Sequence, residues 1–243
     1  MNLILLAAAE LAADGCVKLR DARATHLLRV LDVTHGQTVR VGIIDGPVGT
    51  ATVVEVSGET VTIHCELGDT PPRPPVDLLL ALPRPKVLRR LWSQLAALGV
   101  GRIILTNAER VERNYFDTNV LTPACYGPLL IDGLQQARDT RVPGVSIHRQ
   151  FRKLVEDDLA TVSDATVRLV ADPAATTTIR EAVADRRRER VLLAVGPEGG
   201  WNDFELMLLD AHAFQRVGMG RRTLRSDTAT VALLAIVSSV IRD

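Results

Sequence analysis

The sequence predicts an α/β protein in two parts: a small β-rich domain over residues 1–70, and a larger domain over residues 76–243 built on a mostly parallel sheet with helices on both faces. Three observations carry this. The first 70 residues alternate apolar and polar side chains at a period near two. The segment Thr70-Pro71-Pro72-Arg73-Pro74-Pro75 is a stiff, extended hinge with few amides to donate, so residues 71–75 form the linker. Beyond it, continuous apolar runs alternate with helical patterns, the signature of strands buried on both faces and packed by helices.

In the first part, Gln37–Val41, Thr50–Val56 and Thr60–Glu66 read as strands, separated by Asp45-Gly46-Pro47 and Ser57-Gly58, with one helix over Asp21–Leu31. These make a small barrel or compact sheet. In the second part, Val76–Leu82 is a buried strand. Lys86–Leu98 is a helix with Val87, Leu91, Leu95 and Leu98 on one face, ended by Gly99. The alternation continues through Arg102–Thr106, Pro123–Gln136, Val145–His148, Phe151–Leu159, Val167–Ala171 and Thr178–Arg188. Val191–Val195, Asn202–Ala211, Phe214–Val217 and Ser226–Arg242 complete it.

Composition excludes several classes. No run of about 18 apolar residues is present, so no membrane-spanning helix is predicted. The opening MNLILLAAAELAADG has no basic residue ahead of its apolar stretch, which reads as a strand and turn rather than a signal peptide. Cys16, Cys65 and Cys125 lie far apart and fit neither a disulfide framework nor a zinc site, and a reducing cytoplasm follows as the default. The histidines show no metal-ligand spacing, so no metal is predicted. Net charge is +0, against bulk attraction to nucleic acid. Residues 1–75 hold 6 basic and 9 acidic side chains, a balance of −3, which leaves +3 for the remainder. Lys18, Lys86 and Lys153 are the only lysines among 29 basic residues. Such arginine bias suits phosphate and base recognition, and equally suits a GC-rich genome.

Two segments stand out. A buried strand, Val191–Val195, ends in Gly196-Pro197-Glu198-Gly199-Gly200-Trp201, after which Asn202 and Glu205 form a capping box for the next helix. Glycines at a strand's carboxyl end let a ligand approach bare backbone, although an ordinary strand-to-helix turn has the same look. The segment matches neither the phosphate loop nor the dinucleotide fingerprint. The second segment, Val217-Gly218-Met219-Gly220-Arg221-Arg222-Thr223-Leu224-Arg225-Ser226-Asp227-Thr228-Ala229, packs three arginines into five residues before an apolar helix. It is either an anion-binding loop or a solvated basic turn.

Together, GPEGG followed by an aromatic and a glutamate, and G-x-R-x-L-R-[ST]-[DE]-T-A opening the last helix, resemble the bacterial 16S ribosomal RNA uridine-N3 methyltransferase family (RsmE) of the SPOUT superfamily. His26-Leu27-Leu28-Arg29, Asp45-Gly46, Ala96-Ala97-Leu98-Gly99-Val100, Ala108-Glu109-Arg110 and Gln135-Gln136-Ala137-Arg138 extend the resemblance along the chain. Gln94, Ala97 and Gln135 depart from it, where lysine, glutamate and glutamate are usual.

The resemblance implies a trefoil-knotted SPOUT-type carboxyl-terminal domain after a PUA-like β-barrel, a homodimer, and methylation of 16S ribosomal RNA or the small ribosomal subunit with S-adenosylmethionine. It implies a cofactor site at Leu169, Val170, Val195, Gly196, Pro197, Gly199, Gly200, Val217, Met219, Gly220, Leu224, Thr228 and Ala229. Arg225 and Arg222 are the candidates for orienting the base or a phosphate and stabilising negative charge, with Glu198 assisting or pinning its loop. Asp227 reads as a helix cap or a base. His26, Arg29, Lys86, Arg138 and Arg141 are the candidate RNA contacts, Lys86 within a basic helical face that includes Arg89 and Arg90. The departures leave two alternatives open: another ribosomal or transfer RNA nucleotide as target, or a non-catalytic RNA-binding assembly factor.

Overall fold

The computed structural model describes residues 2–241, so Arg242, the expected end of the last helix, lies outside the described residues. The chain packs as two compact units. One comprises the residues up to Arg73 together with Leu130–Val142; the other comprises Pro74–Leu129 and the chain from Pro143 onward. A linker at 71–75 marks the first crossing. The second excursion, 130–142, carries no composition change that would reveal it.

The first unit is a five-stranded sheet in the order β1-β3-β4-β5-β2. Its strands are β1 (Ile4–Leu6), β2 (Cys16–Leu19), β3 (Thr38–Ile43), β4 (Val48–Ser57) and β5 (Thr60–Leu67), with helix α1 (Ala22–Arg29) between β2 and β3. The period-two pattern fixes which face is covered. Val61, Ile63 and Cys65 of β5 point inward with Val17 and Leu19 of β2, and Leu27 of α1 closes over them. Gly49 is obligatory, since a Cβ there would lie 2.1 Å from the Glu66 carbonyl oxygen across the ladder. Asp21 caps α1 by accepting the Arg23 amide at 2.9 Å.

The segment 130–142 is stitched to this unit by polar bonds. Thr140 is fully buried and its hydroxyl donates to the Gly46 carbonyl at 2.6 Å. The Asp45 amide donates to Thr140 at 2.8 Å, and the Asp45 carboxylate accepts the Val142 amide at 3.0 Å.

The second unit holds a six-stranded, wholly parallel sheet in the order β11-β9-β10-β6-β7-β8. In chain order its elements are β6 (Val76–Ala81), α2 (Pro85–Ala97), β7 (Val100–Thr106), α3 (Pro123–Ala137, whose last turns belong to the first unit) and β8 (Gly144–His148). A short α4 (Phe151–Lys153), a π-helical turn and α5 (Leu159–Val162) follow. Then come β9 (Val167–Ala171), α6 (Ile179–Ala182), β10 (Val191–Val195), α7 (Asp203–Ala211), β11 (Phe214–Val217) and α8 (Ser226–Val240). Every residue of β6 and β10 is buried, as strands covered on both faces require.

The helix expected over Thr178–Arg188 stops at Ala182. Thr178 and Glu181 cap its start in a reciprocal box, but the Arg-rich run beyond it turns away. Arg186 folds back onto Glu189 at 2.7 Å and onto the Thr166 carbonyl at 2.9 Å. The next basic residue, Arg190, is committed to a buried partner, so the chain must straighten into β10.

That partner is Asp77 on β6, fully buried. Its carboxylate meets Arg190 at 2.9 Å and Arg102 at 3.5 Å and accepts the Ser163 hydroxyl at 2.8 Å, which ties together the amino-terminal ends of β6, β7 and β10. A buried carboxylate with two cations is stable only as a set. Asp77→Ala is expected to cost roughly 3–5 kcal/mol, read as a lower midpoint in urea unfolding.

A second cluster makes the first unit acid-sensitive. Arg23 pairs with Glu10 at 2.5 Å and with Asp21 at 2.6 Å. The hydrogen bond from Arg23 holds both carboxyl groups below their usual values of 4.5 and 3.8. A depressed carboxylate pKa stabilises the fold above the unfolded-state value, and that contribution disappears as pH falls through the folded-state value. Stability should therefore fall below pH 4.5, and an Arg23→Gln variant should show a flatter pH dependence in thermal unfolding.

Candidate active site

Because β10 lies between β9 and β6, the chain leaves its carboxyl end into a crevice walled by the loops after β9 and after β11, the place where open parallel sheets bind ligands. Three loops converge there. The first follows β10. Gly200, at φ +73°, closes a turn by donating to the Pro197 carbonyl at 2.8 Å. Asn202 caps α7 by accepting the Glu205 amide at 2.8 Å, and Glu205 returns the bond to the Asn202 amide at 2.8 Å. Glu205 is only 4% exposed, and its other oxygen accepts the Glu109 amide at 2.7 Å. One buried carboxylate thus pins the segment after β7 to the loop after β10. Next to it, Arg110 donates to the Gly199 carbonyl.

The glycines of this loop permit close packing. A Cβ on Gly196 would lie 3.1 Å from the Trp201 amide and ring, and one on Gly199 would lie 2.8 Å from Cδ of Arg110. Trp201 is buried and stacks on Phe151 with ring centroids 5.2 Å apart.

The second loop follows β11. Gly218 passes so close to the loop after β9 that a Cβ would lie 2.2 Å from the Ala175 carbonyl oxygen, and its amide donates to Thr177 at 2.9 Å. Gly220, at φ +99°, then turns the chain, and Arg221 to Arg225 are exposed. The helix cap differs from expectation. Arg225 occupies the capping position without a side-chain bond, and Asp227 sits inside the first turn of α8. There Asp227 accepts the Thr228 amide at 2.9 Å and pairs with Arg90 of α2 at 3.1 Å. An ion pair to a neighbouring helix takes the place of a capping bond.

The third wall is the end of β9, where Asp172 accepts the Ala174 amide at 2.9 Å and faces Arg216 at 3.4 Å. Arg216 is also paired with Asp210 at 2.5 Å, and this hydrogen bond raises its pKa and holds it charged.

These loops enclose a cavity of about 320 Å³ lined by Ala171, Asp172 and Pro173, the stretch Val195 to Trp201, and Leu206, Thr223, Leu224, Ser226 and Ala229. An adjoining space of about 70 Å³ adds Val217, Gly218, Met219, Gly220 and Arg222. A third cavity, about 440 Å³, shares Glu198, Thr223, Leu224 and Ser226 with the first and is bordered by Arg84, Arg90, Arg225 and Asp227.

The predicted residues therefore distribute unevenly. Val195, Gly196, Pro197, Gly199, Gly200, Leu224 and Ala229 line the main cavity. Val217, Met219, Gly220 and Arg222 line its neighbour, Arg225 borders the third, and Glu198 stands between the first and third. Leu169 and Val170 are buried within β9, and the wall falls to the next three residues. Thr228 is exposed and borders none of the three. Among the expected RNA contacts, Lys86 is exposed on α2, Arg29 and Arg138 are exposed on the first unit, and His26 is half-buried there. Arg141 is half-buried and donates to the Asp45 carbonyl at 3.1 Å. Sequence reasoning missed Asp172, Trp201 as cavity wall, and Arg84. The Asp172-Pro173 step directly after a buried strand was a readable signal for the first. Among the described residues no helix is long and apolar enough to cross a membrane, and no group of three or more candidate ligands is placed to hold a metal ion.

A parallel sheet with glycine-walled loops at the carboxyl ends of its strands defines a ligand-binding α/β class, and the sequence profile of the RNA methyltransferase domain matches residues 70–238. A protein of Treponema pallidum named ribosomal RNA small subunit methyltransferase E is 33% identical over 98% of this chain and 90% of its own length. This chain belongs to that family of ribosomal RNA small-subunit methyltransferases. A relative from Borreliella burgdorferi with the same family name is 22% identical over 98% of both chains. The fold matches a Neisseria gonorrhoeae ribosomal RNA small subunit methyltransferase E bound to S-adenosyl methionine, at TM-score 0.75 and 22% identity, over 99% of this chain and 98% of that one. It matches equally, at TM-score 0.75 and 21% identity, a Legionella pneumophila methyltransferase in complex with the same cofactor, over 100% and 98% of the two chains.

The Gly218 contact gives a stability test. Gly218→Ala forces the β9 and β11 loops apart, and is expected to cost about 1–3 kcal/mol in denaturant unfolding, the usual range for overpacking.

Proposed function

We propose that this chain methylates N3 of a uridine in 16S ribosomal RNA, with S-adenosylmethionine as the methyl donor. The observation that carries the reading is the junction of two cavities, one with backbone and apolar walls and one lined by arginines, across Thr223, Leu224 and Glu198.

The residues present fit the cofactor. A cavity of about 320 Å³ has the size of a small-molecule site, with glycine backbone on one wall and Leu224 and Ala229 on another. Asp172 adds a carboxylate to the wall, partly compensated by its pairing with Arg216 at 3.4 Å. Val195 to Gly200 and Val217 to Leu224 would hold the adenosine and methionine portions against backbone. When bound, S-adenosylmethionine supplies an electrophilic methyl group on a sulfonium.

The chain's own residues then have to deal with a proton. Uridine N3 is protonated and weakly nucleophilic, so transfer requires that proton to leave as negative charge develops on the uracil oxygens. Arg225, which borders the third cavity next to the partition, orients the base and stabilises that charge; Arg222, on the small space adjoining the main cavity, adds positive charge to the same loop. Glu198 accepts a hydrogen bond from the Arg84 amide at 3.3 Å, which keeps its carboxylate at the junction. Carboxylates as a class are weak bases for an imide proton, so the arginines carry the larger share of the barrier reduction. The N3 proton would pass to Glu198 or solvent as N3 takes up the methyl group that the cofactor would supply, so that charge balances with a neutral thioether as co-product.

The first unit serves as a PUA-like RNA-binding module, with His26, Arg29, Arg138 and Arg141 as its contacts and Lys86 adding one from the second unit. The second unit is assigned the trefoil knot of the superfamily. A homodimer is assigned as well, and Phe204 and Met207 on α7 are 53% and 60% exposed and provide apolar surface for it. The enzyme is placed in the cytoplasm.

Incubation with methyl-labelled S-adenosylmethionine and small ribosomal subunits lacking the modification should yield labelled N3-methyluridine; another labelled nucleoside would refute the assigned target. Arg225→Ala should lower kcat by at least ~100-fold, the scale of losing one charge-stabilising donor, while the Kd for S-adenosylmethionine stays within about twofold by calorimetry. Arg110→Ala should do the opposite, and weaken cofactor binding by ~10-fold through a loosened Gly199 loop, the scale of one hydrogen bond from a charged group.

A further inference from the structure

Arg84 and Arg90 belong to neither terminal motif, yet the fold brings both to the third cavity. Arg84 precedes α2 and Arg90 lies within it, near the start of the sheet's first strand-helix unit, while Arg225 comes from the last loop of the chain. The cavity, about 440 Å³, has three arginines against two carboxylates, Glu198 and Asp227. A neutral uracil ring needs no such surplus of cations. An anion does.

We infer that this cavity holds the target nucleotide together with a flanking phosphate, that Arg84 and Arg90 hold the phosphate, and that Asp227 occupies Arg90 until RNA displaces it. The inference rests on the reading of this chain as an RNA methyltransferase and extends it to named substrate contacts.

The division of labour follows from position. Thr223, Leu224, Glu198 and Ser226 border both large cavities, so Arg225, between Leu224 and Ser226 in sequence, stands nearest the methyl-transfer junction. Arg84 and Arg90 border only the outer cavity, where the sugar-phosphate chain of a base entering the junction must lie. Tyr115, whose hydroxyl donates to Glu112 at 2.9 Å, lies within electrostatic reach of Arg84.

The Arg90–Asp227 pair is built to exchange. Its N–O distance is 3.1 Å, with the two side chains 65% and 24% exposed. An ion pair this open contributes less than about 1 kcal/mol. Arginine and phosphate form charge-assisted bonds through two parallel N–H groups and bind more strongly. A phosphate can therefore replace Asp227 on Arg90 at little cost, while the Asp227 carboxylate keeps its bond from the Thr228 amide.

The test uses the intact protein, unmodified small ribosomal subunits and labelled S-adenosylmethionine. Arg84→Ala and Arg90→Ala should each raise KM for subunits by ~10-fold, the loss of one phosphate contact, with kcat within about threefold and cofactor Kd unchanged. The slope of log(kcat/KM) against log salt should become shallower by ~0.7–0.9 per variant. Lys replacements, which keep a charge, should recover most of the KM, as a purely structural role would not. Asp227→Asn frees Arg90 and should lower KM. Unchanged KM in both alanine variants, or a defect confined to cofactor binding, overturns the inference. If wild-type protein labels another nucleoside or none, the uridine-N3 reading fails on its own. Filter retention of subunits then still decides: salt-dependent binding lost in the double alanine variant supports the phosphate site, and equal binding overturns it.

Discussion

The architecture of the second unit depends on β10 being inserted between β9 and β6. All five of its residues are buried and both neighbours run parallel to it, so the strand has no free edge and no exposed face. Its chain can leave the sheet only along the axis, at the carboxyl end, into a crevice bounded by the loops after β9 and after β11. Gly196 and Gly199 follow from that constraint, because Trp201 and Arg110 occupy the space a side chain would need. The crevice stays open because the loops are tied to one another rather than collapsed into it.

Those ties are polar and local. Glu205 joins two loops through two backbone amides, Arg110 holds the Gly199 carbonyl, and Arg216 links Asp172 to Asp210. At the opposite end of the sheet, Asp77 gathers Arg102 and Arg190. The amino-terminal edge therefore uses its charges on itself, in a closed network that favours rigidity. The carboxyl-terminal edge leaves Arg222 and Arg225 exposed. Charge satisfied inward at one edge and presented outward at the other is the electrostatic difference between a foundation and a site.

The alternation of strands and helices was legible because burial on both faces demands continuous apolar runs, and β6 and β10 supply them. Each of the two loops alone reads equally as an ordinary turn; their pairing and order, glycines after a buried strand and then clustered arginines before an apolar helix, carry the resemblance to the family. Three features were not legible. The return of 130–142 to the first unit rests on Thr140, whose partner Gly46 is far away in sequence, and a threonine does not announce its acceptor. The early end of α6 is set by what Arg186 and Arg190 meet in three dimensions, whereas helix periodicity counts only apolar spacing. Arg84 lies next to a proline in a turn, and only the sheet order brings it to Glu198, 114 residues away.

The junction between cavities also explains why the last loop needs its particular order of residues. Leu224 and Thr223 form the partition and are nearly neutral in charge, while Arg222 falls on one side and Arg225 on the other. A cation in the partition would repel a sulfonium and draw water to the place where methyl transfer is proposed. A bulkier aromatic there would close the passage. With Leu224 in the wall and Arg225 just beyond it, positive charge reaches the side where negative charge is proposed to develop, while the lining of the main cavity itself holds no arginine and Arg222 stands in the smaller space beside it. On the proposed reading, the uncharged Thr223 and Leu224 face both cavities while Arg225 faces only the outer one, so a cationic donor and an incipient anion can meet across the partition without an arginine in the wall they share.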